Sequence, residues 1–239
     1  IVMTASLLVL SLASMANVTD AAFRRMFARY GKPDVMWTEF VSCDGLCSAG
    51  KEKLMMDLIF HKSEKPIVAQ FFGAKPENFY ICAKLAQKLG FDGIDINMGC
   101  PDRGVVRQCA GSALIKNQKL AKKIIKETIR GAGKLPVSVK TRIGFNEIEY
   151  KKWIPWLLKM NLATLTIHGR TKKEMSDVPA HWDVIGEIVK MRNKLKSKTL
   201  ILGNGDVCSL ADAQEKYEKY GVDGVMVGRA IFGTPWFFS

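Results

Sequence analysis

Eight short apolar runs, each followed by a stretch of helical period, constrain the fold of this chain more than any other feature. The runs fall at residues 7–12, 35–40, 67–72, 93–97, 137–142, 163–168, 199–204 and 224–228. Helical spacing is predicted over 21–30, 51–60, 76–89, 112–130, 181–194 and 209–220. A further helix holds Trp153 and Trp156 and is interrupted by Pro155, and an eighth would start after Arg229. Asn17 or Thr19 is the expected cap of the first helix. Strands separated by helices must run parallel. Eight such units in 239 residues predict an α/β fold, a (β/α)₈ barrel of the TIM type spanning residues 1–239 as one domain. An open doubly wound sheet is the alternative, but no Gly-rich turn follows the first strand.

Side chains two apart on a strand share a face. Ser138, Lys140 and Arg142 share one, and Thr164, Thr166 and His168 another. Asp95 and Asn97 pair in the same way against Ile94 and Ile96. In a barrel the polar sets point inward near the carboxyl-terminal mouth, where barrel enzymes place their chemistry. Glu39, Gln70, Asn97, Lys140, His168 and Asn204 all come late in their strands and are expected to ring that mouth.

The loop Met98-Gly99-Cys100-Pro101 presents a thiol just past the fourth strand, although a free cysteine is more often a buried packing residue. Gly203-Asn204-Gly205-Asp206 and Gly228-Arg229 are glycine turns after strands seven and eight, a recurrent place for phosphate in barrels. Lys140 suits an electron-rich cofactor ring, and Gln70 has both a donor and an acceptor for an imide-like edge. The three histidines are dispersed, and Cys43-x-x-x-Cys47 has no second ligand pair, so no metal is expected.

Charge adds the class of partner. Thirty-six Lys and Arg against 23 Asp and Glu give +13, which favours a polyanion over a neutral ligand. Lysine-rich helix faces that are merely solvated would give the same excess. Six scattered cysteines point to a reducing, cytoplasmic setting. Residues 1–16 are apolar but lack a basic leader and are too short to span a bilayer, so a buried first strand and no membrane association are expected. A monomer is expected.

Five ordered motifs carry a resemblance. They are Asn97-Met98-Gly99-Cys100-Pro101, Val139-Lys140-Thr141-Arg142, His168-Gly169-Arg170-Thr171, Gly203-Asn204-Gly205-Asp206-Val207 and Gly224-Val225-Met226-Val227-Gly228-Arg229-Ala230. Together they resemble the tRNA-dihydrouridine synthases from about Leu10 to Phe238. The resemblance implies an FMN-binding barrel that reduces uridine to 5,6-dihydrouridine in tRNA with NAD(P)H as electron donor. It implies Ser14, Met15, Ala16, Gln70, Lys140 and His168 at the flavin. Asn204, Gly205, Asp206, Gly228 and Arg229 would lie at its phosphate. Cys100 would be the proton donor, Asn97 would orient the uracil, and Arg142 and Arg170 would contact tRNA or substrate. The family usually has Pro where Ser14 stands and Gly where Cys109 stands. Its barrel is followed by a small helical domain that helps hold tRNA, and the sequence stops where that domain would begin, so a fragment is expected. Another FMN-dependent barrel oxidoreductase acting on a small pyrimidine or enone, and a non-catalytic RNA-binding relic, remain as alternatives.

Overall fold

The apolar runs become eight parallel strands that close into a barrel in chain order, in a computed structural model that describes residues 8–239. The strands are β1 (Val9–Leu12), β2 (Val35–Ser42), β3 (Ile67–Phe72), β4 (Gly93–Met98), β5 (Val137–Gly144), β6 (Thr164–Thr171), β7 (Leu200–Asn204) and β8 (Gly224–Val227). The helices are α1 (Ala21–Tyr30), α2 (Cys43–Leu46), α3 (Lys51–Met55), α4 (Pro76–Leu89), α5 (Arg103–Arg107), α6 (Gln118–Ala132), α7 (Tyr150–Leu157), α8 (Trp182–Lys194) and α9 (Leu210–Tyr220). The expected start of the first strand, residue 7, lies outside the described residues.

Several local expectations are corrected. Asp20, not Asn17 or Thr19, caps α1: its Oδ1 accepts from Phe23 N at 2.7 Å. Asp20 directly precedes the first helical residue, and its extended backbone aims the carboxylate at the free N–H groups. Thr19 turns back instead, accepting from Met15 N at 3.0 Å and donating to Met15 O at 3.2 Å. The helix expected over 51–60 is α3 followed by a 3₁₀ turn, Met56–Leu58. The long lysine-rich helix is preceded by a 3₁₀ turn, Gly111–Lys116, because Asn117 caps a fresh start through Leu120 N. After β8 the described residues hold a 3₁₀ turn, Arg229–Ile231, in place of a helix. The short helices α2 and α5, capped by Ser42 and Asp102, carry no periodicity long enough to read.

The core has two shells, as strand parity requires. Val139, Ile167 and Val225 face outward under the helices. Val35, Trp37, Val68, Leu202 and Met226 fill the lower barrel. Near the mouth β2 breaks the alternation, since its pairing with β3 shifts between Trp37 and Phe40. Glu39 lies in this irregularity and reaches sideways, its Oε1 accepting from Val18 N at 3.3 Å in the loop after β1. The same loop rests on a fully buried ion pair. Arg24 donates to Glu64 Oε2, Thr19 O and Ile59 O, each at 2.7 Å. No helix among the described residues is long and apolar enough to cross a membrane.

Candidate active site

A cavity of about 560 Å³ opens at the carboxyl-terminal mouth, between the ends of β1, β5, β6, β7 and β8. Its far wall is bare backbone. A Cβ on Gly228 would meet nothing within 4 Å, so the chain there is open to an incoming group. The N–H groups of Gly228, Arg229 and Ala230 have no backbone acceptor among the described residues. Gly205 sits at φ +122°, and a Cβ there would come within 2.8 Å of Ala180 Cβ and 3.1 Å of the His168 ring. Glycine is therefore required at that turn. Asn204 locks the two turns together, its Nδ2 donating to Met226 O at 2.8 Å.

Charge is arranged around this wall. The Asp206 carboxylate lies between Arg170 and Arg229 and accepts from Ala180 N at 2.8 Å. Burial pushes this carboxyl up, but the bonds from Arg170 and Ala180 outweigh it and hold it below the ordinary carboxylate value. A group kept negative cannot hold a phosphate with its side chain. Asp206 instead fixes the two arginines that face the cavity with it. Arg229 is the freer of the pair, 64% exposed and 3.4 Å from Asp206.

On the near side stand Ser14, Met15, Lys140 and His168. The Ser14 hydroxyl is buried without a hydrogen-bond partner among the described residues. His168 is pushed well below the usual imidazole value, by burial first and then by the charges of Lys140, Arg142, Arg170 and Arg229. It is therefore neutral. Its Nε2 lies 3.3 Å from Arg170 Nη1, which can only donate, so Nε2 accepts and the proton is assigned to Nδ1. Burial and the Arg142 charge lower Lys140 to about 8, against the pull of Asp95 and Cys100. It remains a cation at neutral pH, and among the described residues no hydrogen bond contributes to its environment. Of the expected flavin set, Ala16 and Gln70 do not line the cavity: Ala16 is exposed and Gln70 is fully buried.

A second half of the mouth begins one strand away, where Asn97 pairs with Lys140 in register. Asn97 Oδ1 accepts from Gly99 N at 3.1 Å and Cys100 N at 2.9 Å, and its Nδ2 donates to Gln70 Oε1 at 3.0 Å. Cys100 is half-buried, and burial pushes its thiol up against the lowering charges of Arg142 and Lys140. Arg142 and Arg170 are both buried. Arg142 donates to Gly99 O, Thr171 O and Met175 O, and Arg170 to Val178 O. Their first role is to tie loops together beneath the surface. Ser176 also lines the cavity. It lies on the loop after β6, outside every motif, and sequence reading had no signal for it. Among the described residues no group of three or more His, Cys, Asp or Glu could hold a metal ion.

A family model described as dihydrouridine synthase matches residues 11–239. The chain belongs to the dihydrouridine synthase family. It is 44% identical over 230 residues to a probable tRNA-dihydrouridine synthase 2 of Bacillus subtilis (strain 168), covering 95% of this chain and 70% of that one. A probable tRNA-dihydrouridine synthase of Staphylococcus aureus (strain COL) matches at the same identity and coverage. Among solved structures, an old yellow enzyme homologue from Zymomonas mobilis superposes with a TM-score of 0.64 at 14% identity, covering 98% of this chain and 88% of that one. A morphinone reductase superposes at 0.65 and 12% identity, covering 98% and 86%. These two likenesses concern the barrel fold.

Two positions of this dihydrouridine synthase chain carry a local cost. Ser14 brings an unsatisfied hydroxyl to the cavity. Cys109 holds φ +57°, in the left-handed region that glycine occupies without strain. Cys109→Gly is therefore expected to relieve about 1 kcal/mol, less what glycine costs by loosening the unfolded chain. Thermal unfolding should move up by roughly 2–4 °C per kcal/mol retained. A lower melting temperature in the variant would mean that the Cys109 side chain contributes more than its strain costs.

Proposed function

We propose that this chain is an FMN-dependent tRNA-dihydrouridine synthase, reducing uridine to 5,6-dihydrouridine in tRNA at the expense of NAD(P)H. The observation that carries the reading is Lys140: a partly buried cation with no hydrogen bond among the described residues, between an anion-receiving cavity and a protonated thiol. A flavin mononucleotide fits these residues. Its phosphate would lie at the open Gly228–Arg229 backbone and at Gly205, with the Arg229 guanidinium beside it. The Ser14 hydroxyl would gain a partner there, and Met15 and Ala16 follow it in the same loop. Lys140 would stand against the electron-rich ring edge, where a cation stabilises the reduced anion. Neutral His168, with its proton on Nδ1, would be a donor for the ring rather than a second cation. When bound, FMN supplies the hydride, taken from NAD(P)H and passed to the uracil ring.

The chain's own residues do the rest. Cys100 holds a proton at Sγ and gives it to the ring carbon next to the one reduced. Asn97 shapes the Cys100 loop and keeps one amide hydrogen for a carbonyl of the base. Gln70 supports Asn97, and Arg142 and Arg170 brace the loops that frame the base and the phosphate. The uridine must leave its stack to reach this depth. Grip on tRNA comes from phosphate contacts, which give affinity and little sequence choice. Lys119, Lys122 and Lys126 on α6, with Lys159, line one hollow on the flank of the barrel. None of the four is in an ion pair among the described residues. We assign residues 1–239 to a catalytic barrel that acts in the cytoplasm as a monomer.

The visible spectrum of purified protein, the mass of its released cofactor and dihydrouridine in treated tRNA test the reading together. A colourless protein that takes up no FMN sinks it. A flavoprotein that tRNA fails to reoxidise, while a small enone succeeds, moves it to the other barrel oxidoreductases. Arg229→Ala should weaken FMN by about tenfold, the lower range for a charge-assisted bond at an exposed arginine. Riboflavin, which lacks the phosphate, should bind both proteins alike. Equal FMN affinities by titration would remove Arg229 from the phosphate.

A further inference from the structure

Asp95 is fully buried on the inward face of β4, two residues before Asn97. A chain of hydrogen bonds rises from it to the Cys100 loop. Ser138 Oγ donates to Asp95 Oδ1, and Gln70 Nε2 donates to Asp95 Oδ2 at 2.7 Å. Gln70 Oε1 accepts from Asn97 Nδ2 at 3.0 Å. Asn97 Oδ1 accepts from the backbone N–H groups of Gly99 and Cys100. Each of the two amides in the middle could be turned end for end, exchanging oxygen for nitrogen. The ends allow only one arrangement. Backbone N–H groups can only donate, and an ionised carboxylate can only accept.

Burial pushes the Asp95 carboxyl up to about 6, against the bonds from Ser138 and Gln70 and the charge of Lys140. It is therefore mostly ionised at neutral pH and holds the Gln70 NH₂ group downward. The Gln70 oxygen then faces up, the Asn97 NH₂ faces down, and the Asn97 oxygen meets the loop. We propose that Asp95 is a positioning residue that acts through Gln70 and Asn97 to fix the backbone bearing Cys100. The geometry has a reason to be built this way. Burying a carboxylate is costly unless its bonds are satisfied, and here it has two donors and a nearby cation. A merely apolar residue would pack in the same place without dictating the orientation of either amide.

The proposal deepens the reading of Cys100 as the acid, but its test needs neither flavin nor tRNA. Amide hydrogen exchange at Gly99 and Cys100, followed by mass spectrometry, reads the top of the chain directly. Asp95→Val removes the acceptor and suits a strand. It should speed exchange at these two amides by about tenfold, the worth of one weakened hydrogen bond. Exchange at Ile94 and Ile96, within β4, should change little. In an Asn97→Ala background the link is already cut, so Asp95→Val should add nothing to exchange at Gly99 and Cys100. A residue with a purely structural role would loosen both backgrounds alike, and that result overturns the proposal. So does unchanged exchange in a folded Asp95→Val protein. If that variant fails to fold, Gln70→Leu severs the middle of the chain instead, and unchanged exchange there overturns the proposal equally. If the exchange pattern appears but turnover of tRNA is untouched, the relay stands and the assignment of Cys100 as acid falls.

Discussion

Cys100→Ala will leave FMN binding and NAD(P)H-driven flavin reduction nearly intact and will slow flavin reoxidation by tRNA by about 10²–10⁴-fold, the usual worth of a positioned general acid. Hydride arriving at one carbon of the uracil double bond leaves its neighbour carbanion-like, and a proton must reach that neighbour. The donor must hold its proton at rest. Burial raises the Cys100 thiol above its ordinary value, so it is protonated at neutral pH, and the opposing charges of Arg142 and Lys140 do not reverse the shift. The donor must also be held still, which the bond from Cys100 N to Asn97 Oδ1 and that from Ser112 N to Cys100 O at 3.0 Å achieve. Gly111, at φ +58°, lets the loop pass close: a Cβ there would lie 2.8 Å from Cys100 O. Anaerobic stopped-flow, mixing pre-reduced protein with tRNA and following the flavin band, isolates the step. Cys109→Ala serves as the exposed neighbouring control and should reoxidise like the parent. Wild-type reoxidation in Cys100→Ala would pass the acid's role to another group.

Arg24→Met will cost about 3 kcal/mol of stability, the low end of the penalty for breaking a buried ion pair, since Arg25 remains 4.0 Å from Glu64. Both side chains are essentially inaccessible, at 1% and 0% exposure, so water cannot take the place of the lost guanidinium. Glu64 would be left with His61 N on Oε1 and, as its nearest remaining cation, the largely exposed Arg25 at 4.0 Å from the same oxygen. Thr19 O would lose its donor, and Thr19 is what holds Met15 at the edge of the cavity. The melting temperature should therefore fall by roughly 6–12 °C, and FMN affinity should fall with it. Adding Glu64→Leu should return much of the stability, because an apolar pair can replace a buried ionic one. A loss under about 1 kcal/mol in chemical denaturation would show that the pair is solvated in solution.

Strand rhythm and parity made the barrel legible, because a residue's face depends only on whether its position is odd or even. Depth along the barrel axis does not follow from parity. Gln70 and His168 occupy similar late positions in their strands, yet Gln70 is sealed between Asp95 and Asn97 while His168 borders the cavity. Glu39 was displaced by an irregularity in β2 that no local pattern announces. Arg142 and Arg170 have the composition of surface contacts, and only the tertiary path of the loops after β4 and β6 reveals the carbonyls that consume them. The Arg24–Glu64 pair joins positions 40 apart, each unremarkable in its own segment. The glycine turns were readable for the opposite reason: open backbone at Gly228 and positive φ at Gly205 are demands on a single residue.

The strand pairing that closes the barrel also sets a timetable. β1 lies against β8, and Ser11 and Val225, which meet across that seam, are separated by 214 positions. At synthesis rates of about 5–20 residues per second, one flank of β1 waits roughly 10–40 s for its partner to be made. During that interval the nascent chain is a lopsided open sheet whose free edges can pair with any neighbour. Closing the barrel is therefore the last pairing available to the chain, because neither flank of the β1–β8 seam can form before β8 has been made.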